Sequence, residues 1–223
     1  MRRSMKIGIG TLVAVLAITA LTALSASAEE GFLPLLSKET TWSSGKLILE
    51  STGGWSYLCK SSEGKGTFAT DKHFTIEMHF NECTSAGIAM NSLGDKAGVV
   101  LFTALALVCL KPTNAKGEVL SAFGIFIELP AGGVHLEVPA IGQLLLLAGT
   151  YIGEVLTTGP AKTYVVDITG KAGKQNAVEC KEGLTSKKGS LLSENNENKK
   201  PEAASVNMES GSLAFSENKE LME

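Results

Sequence analysis

Apolar and polar residues alternate with a period of two along most of the chain, which is the pattern of half-buried antiparallel strands. "GKLILES" places Leu47 and Leu49 on one face. "GWSYLC" places Trp55, Tyr57 and Cys59 together, and "TYVVDIT" does the same with Tyr164, Val166 and Ile168. "HFTIEMHF" alternates without a fault: Phe74, Ile76, Met78 and Phe80 on one side, His73, Thr75, Glu77 and His79 on the other. "SSEGKG" reads as a turn before "TFAT", and "ESGS" as a turn between the strands "ASVNM" and "SLAFS". Residues 186–203 are polar and read as a loop before that last hairpin.

The middle of the chain differs. "AGVVLFTALALVCL" and "EVLSAFGIFIEL" are apolar on both faces, as strands covered on two sides are. "PTNAKG" and "PAGG" punctuate them, and "GVHLEVP" alternates again. "AIGQLLLLAG" fits a buried strand or a short buried helix, which periodicity does not separate. No internal repeat is visible. The pattern predicts an all-β domain of about ten strands, an antiparallel β-sandwich or a β-barrel.

The N-terminus sets the compartment. "MRRSMK" is basic, "IGIGTLVAVLAITALTAL" is apolar, and Ala26-Ser27-Ala28 offers the small-x-small pattern of a cleavage site. Residues 1–28 are therefore expected to be a signal-peptide helix, and 29–223 a single secreted or extracytoplasmic β domain. An uncleaved anchor is the rival reading. After residue 28 no apolar run reaches the roughly 18 residues of a membrane-spanning helix. Removal of Arg2, Arg3 and Lys6 makes the charge more negative than the −3 of the whole chain, so nucleic acid is not an expected partner.

Export changes the meaning of the cysteines. An even set of four, Cys59, Cys83, Cys109 and Cys180, predicts two disulfides. Three pairings are possible. Cys59–Cys83 with Cys109–Cys180 is favoured, because the first pair is nearest in sequence and flanks consecutive strands.

Candidate chemistry is sparse. His73 and His79 lie roughly 20 Å apart along a strand, too far for one ion. Glu77 and His79 are about 7 Å apart and would need a third ligand, His135 or Glu137. The competing reading, solvent-facing positions of half-buried strands, fits the alternation better. Trp55 and Tyr57 offer an aromatic platform for a sugar, but share a face with Cys59, which favours core packing. Trp42 follows no clear pattern, and as an exposed ring it is the third candidate for ligand binding. Glu128, Glu137, Glu154 and Asp167 lie within strand patterns, and Glu128 and Glu154 interrupt otherwise apolar runs. A paired-carboxylate hydrolase among them is a spatial question. No G-x-S-x-G, H-E-x-x-H, Walker or complete G-x-G-x-x-G motif occurs, and no cofactor is expected.

The signal peptide, "CKSSEGKGTF" (59–68), "FNECTSAG" (80–87), "GTYIGEVLT" (149–157) and "DITGKAGKQNAVECKEG" (167–183) together resemble a group of small secreted proteins of soil actinobacteria. The resemblance implies a secreted, disulfide-braced β domain and supplies no catalytic residue, cofactor or substrate. The sequence thus favours a secreted, non-enzymatic β domain, with an envelope or extracellular component as its candidate binding partner. An extracellular hydrolase using carboxylates or a Glu77–His79–His135 metal site is the first alternative. A self-associating or membrane-inserting barrel, motivated by the apolar strands from Val99 to Leu147, is the second.

Overall fold

A computed structural model describes residues 31–33, 38–196 and 199–222. The expected signal peptide, residues 1–28, lies outside the described residues.

The strands are β1 (Gly31–Leu33), β2 (Glu39–Ser44), β3 (Leu47–Ser51), β4 (Ser56–Cys59), β5 (Ser61–Phe68), β6 (His73–Asn81) and β7 (Thr84–Ser85). There follow β8 (Ile88–Ala89), β9 (Asn91–Ser92), β10 (Val100–Thr113), β11 (Phe123–Glu128) and β12 (Val134–Val138). A 3-10 turn at Pro139–Ile141 leads into β13 (Gln143–Val155) and β14 (Ala161–Ile168). The chain ends with β15 (Gly170–Lys171), β16 (Lys174–Gln175), β17 (Glu179–Glu182), β18 (Thr185–Lys188), β19 (Ser190–Asn195) and β20 (Glu202–Met222). All pairings are antiparallel, and no helix among the described residues is long and apolar enough to cross a membrane.

The hydrogen-bonded order closes on itself. β20 pairs with β14, β14 with β13, β13 with β11 and β11 with β10. From β10 the order runs through β6, β5 and β2 back to β20. Eight strands thus form a barrel. The long strands continue past this ring. The first half of β13 pairs with β12 and β19, and the first half of β20 with β3, which leads on to β4 and β7.

Period-two patterning fills the interior. Phe74, Ile76, Met78 and Phe80 of β6 join Ile125 and Ile127, Tyr164, Val166 and Ile168, and Leu213 in one core. A second, smaller cluster lies outside the wall: Leu107, Cys109, Phe126 and Ile152 are covered by Ala177 and Cys180. This explains why β10 and β11 are apolar on both faces.

Four local readings change. "SSEGKG" is not a turn but most of β5, paired with β2 on one side and β6 on the other. Its inward positions are Ser62, Gly64 and Gly66: Ser62 accepts from Trp42 Nε1, and the two glycines are small because Thr40 and the Glu77 backbone occupy the space beside them. A Cβ on Gly66 would stand 2.5 Å from Thr40 Cγ2, and one on Gly64 2.2 Å from the carbonyl oxygen of Glu77. "ESGS" is not a hairpin turn either. β20 runs through it with a bulge, since Val166 pairs with Gly211 but Ile168 with Met208. A Cβ on Gly211 would meet Val166 O at 2.5 Å and the Trp42 ring at 2.9 Å. The polar segment 186–203 is not a loop throughout: it supplies the end of β18, all of β19 and the start of β20. Its polarity misleads because Ser193 and Asn195 are inward-facing and buried. "AIGQLLLLAG" resolves as the 3-10 turn followed by β13.

Candidate binding groove

The cysteines form Cys59–Cys83 and Cys109–Cys180, and no free thiol occurs among the described residues. All four are buried. Cys59–Cys83 ties β4 to the segment after β6. Cys109–Cys180 bolts the β17–β18 hairpin to the outside of β10. The same hairpin carries an ion-pair cluster, with Glu182 accepting from His73 at 3.0 Å and from Lys187 at 3.1 Å. Burial opposes the Glu182 charge, but Lys187, His73 and Lys72 outweigh it and hold the carboxyl below its ordinary range.

The histidine candidates are separated. His79 Nε2 lies 2.7 Å from Glu77 Oε1 on the exposed face of β6. His135 stands on β12, with β10 and β9 between it and β6. Three strand spacings amount to about 14 Å, beyond the reach of a shared ion. Glu137 is engaged elsewhere, accepting from Asn91 Nδ2 at 2.8 Å and from Gly94 N–H at 3.3 Å. Among the described residues, no three His, Cys, Asp or Glu side chains are placed to hold a metal ion.

The aromatic candidates point inward. Trp42, expected to be exposed, is 3% exposed, and its Nε1–H donates to Ser62 Oγ at 2.8 Å. Its ring lies against Gly211 of β20, and Gly64 of β5 is its cross-strand partner. Tyr57 is buried, Trp55 half-buried against the same core. Tyr57 lines an apolar cavity of about 40 Å³ together with Tyr151 and Phe80. Burial, aided by the Glu202 charge, pushes the Tyr57 hydroxyl up to about 12. Space for two or three water-sized groups is no carrier's cavity.

The larger depressions lie outside the barrel. One groove of about 760 Å³ is bordered by Glu50, Lys171, Lys174, Gln175, Asn176 and Asn207. It is built by the tight β15–β16 hairpin, which Glu50 fixes by accepting from the Ala172 N–H at 2.7 Å. The left-handed Ala172 and Gly173 make the turn, and a Cβ on Gly173 would stand 2.6 Å from Ala203 O. Lys171 and Lys174 make no ion pair among the described residues.

Two of the carboxylates singled out from sequence meet beside this groove. Glu154 on β13 and Asp167 on β14 are directly opposed across the strands and point outward together. Glu154 is only 7% exposed and accepts from Asn176 Nδ2 at 2.8 Å. Asp167 accepts from Thr169 Oγ1 at 2.6 Å. Asn176 and Thr169 both border the groove, and neither stands out in the sequence. Burial raises the Glu154 pKa above the ordinary carboxylate value. The Asn176 hydrogen bond lowers it in part, and the Asp167 charge raises it further. Glu128, the other carboxylate in an apolar run, is exposed and apart from this pair.

A carboxyl whose folded pKa is raised contributes stability below its unfolded pKa, and that contribution is lost as pH rises through the folded pKa. Glu154→Gln keeps an acceptor for Asn176 and removes the repulsion from Asp167. It should raise the melting temperature at pH 7 and give no gain near pH 4, read from thermal unfolding across that range. A uniform gain or loss at both pH values would show that Glu154 is not the group that titrates.

No protein-family model, no curated protein and no solved structure matches the chain.

Proposed function

We propose that the chain is an exported, disulfide-braced β-barrel that binds a polar, hydroxyl-rich component of the cell envelope or its surroundings, without chemistry. Export is supported by the basic, apolar and small-x-small segments of residues 1–28 and by two disulfides of the kind that persist in an oxidising compartment. The observation that carries the binding reading is the groove over β15–β16. It sets the ammonium groups of Lys171 and Lys174, neither in an ion pair among the described residues, beside the side-chain amide of Asn207, donors that suit hydroxyls and carboxylates of a polysaccharide. Thr169 to Asn176, which border one side of the groove, belong to "DITGKAGKQNAVECKEG", one of the stretches behind the resemblance to secreted actinobacterial proteins.

Titration calorimetry against solubilised envelope polysaccharide tests it. The protein should bind, and Lys171→Ala with Lys174→Ala should weaken binding at least tenfold, about 1.4 kcal/mol. Absence of binding, or binding indifferent to both lysines, removes the reading.

The Glu154–Asp167 pair favours a second reading, hydrolysis of such a polymer. A carboxyl whose pKa burial raises, directly opposed across two strands to a second carboxyl, is the arrangement of an acid and its partner. Release of reducing ends that Glu154→Gln abolishes would replace the binding reading with this one.

A further inference from the structure

The run "QLLLLAG" explains itself in two directions. Leu145 and Leu147 face the core, whereas Leu144 and Leu146 face outward on β13. In register, Leu146 has His135 of β12 on one side and Glu194 of β19 on the other. The exposed apolar surface continues into neighbouring segments: Leu93 is 59% exposed, Ile141 58%, Leu144 46% and Leu192 38%. Leu93 is held over β12 by its N–H donating to the His135 carbonyl at 2.9 Å. Leu93, Leu144 and Leu146 with His135, Glu194 and Lys199 border a depression of about 270 Å³. An apolar stripe framed by polar groups is the usual look of an interaction surface.

The charges say what covers it. Glu194 and Lys199 border the same depression, carry opposite signs, and make no ion pair among the described residues. A lipid surface would call for a surplus of basic groups. A rim with one unspent charge of each sign is complementary to itself. In a two-fold contact, residue i of one copy meets residue j of the other and the reverse also holds. We infer that the outer face of β12–β13–β19 is a dimer interface, in which leucines of two copies meet and each Lys199 faces the other copy's Glu194.

This contact does not depend on the polysaccharide groove, which lies on β15–β16. Sedimentation over a concentration series tests it. The purified protein should show a reversible monomer–dimer equilibrium. Leu144→Glu should abolish the dimer while leaving the far-UV spectrum and melting temperature of the monomer unchanged. Leu93→Ser, a milder change on a loop, should weaken it. Glu194→Lys and Lys199→Glu should each weaken association about tenfold, and the double reversal should restore it. A monomer at every concentration overturns the inference. So does a double reversal no tighter than the single variants, or a monomer that floats with neutral or anionic liposomes through Leu93 and Leu144.

Discussion

Replacing Cys109 and Cys180 together by alanine should lower the free energy of unfolding by about 4 kcal/mol, one of the two largest effects expected in this chain. The two are separated by 71 residues, so their bond closes a long loop in the unfolded chain, and the chain-entropy relation gives that magnitude. Cys59 and Cys83 are separated by 24 residues, for which the same relation gives about 3 kcal/mol. The ordering of the two double variants in urea unfolding is the check. If loss of Cys59–Cys83 proves more damaging, loop closure is not what governs them. The Cys109–Cys180 variant carries a local signature as well. Cys180 and Ala177 cover Leu107, Phe126 and Ile152 outside the barrel wall. Hydrogen exchange should therefore accelerate over β17 and β18 before the rest of the sheet responds.

Trp42→Ala is the second large effect, a loss of about 3–5 kcal/mol. The upper part of that range is expected because of what surrounds the ring. Gly64 is its cross-strand partner on β5 and Gly211 lies against it on β20. Neither has a side chain that can collapse into the space. Ser62 also loses its donor, although Ser44 Oγ, 2.6 Å away, remains as a partner. Trp42→Phe should cost clearly less, since it keeps most of the apolar volume. Trp55, half-buried, remains as the fluorescence reporter in both variants. An alanine variant within 1 kcal/mol of the parent, on the order of a surface change, would mean that Trp42 does not hold the β2–β5–β20 seam.

The strand class of this fold was legible wherever inward positions are apolar, and β6 is the clearest case. It was illegible where inward positions are small or polar for reasons that lie on other strands. Gly64 and Gly66 look like turn residues until Thr40 and the Glu77 backbone are seen beside them. Ser193 and Asn195 look like loop residues because their burial is decided by β13 and β20. Trp42 itself looked unattached for the same reason. Glu154 and Asp167 were each visible as charges within strand patterns. Their opposition was not, because it is set by the register of β13 against β14. The outward leucines of β13 were hidden by the inward ones, since four in a row carry no period.

The closed order from β20 around to β2 also bears on how this protein behaves when crowded. Open sheets expose a row of unsatisfied amides and carbonyls at their margins, and those margins template cross-β fibrils. In the ring, Ala214 has Thr41 opposite it on one side and Thr163 on the other, so the wall is sealed at that level. The eight ring strands thereby offer no margin for strand addition for as long as the seam between β2 and β20 stays shut.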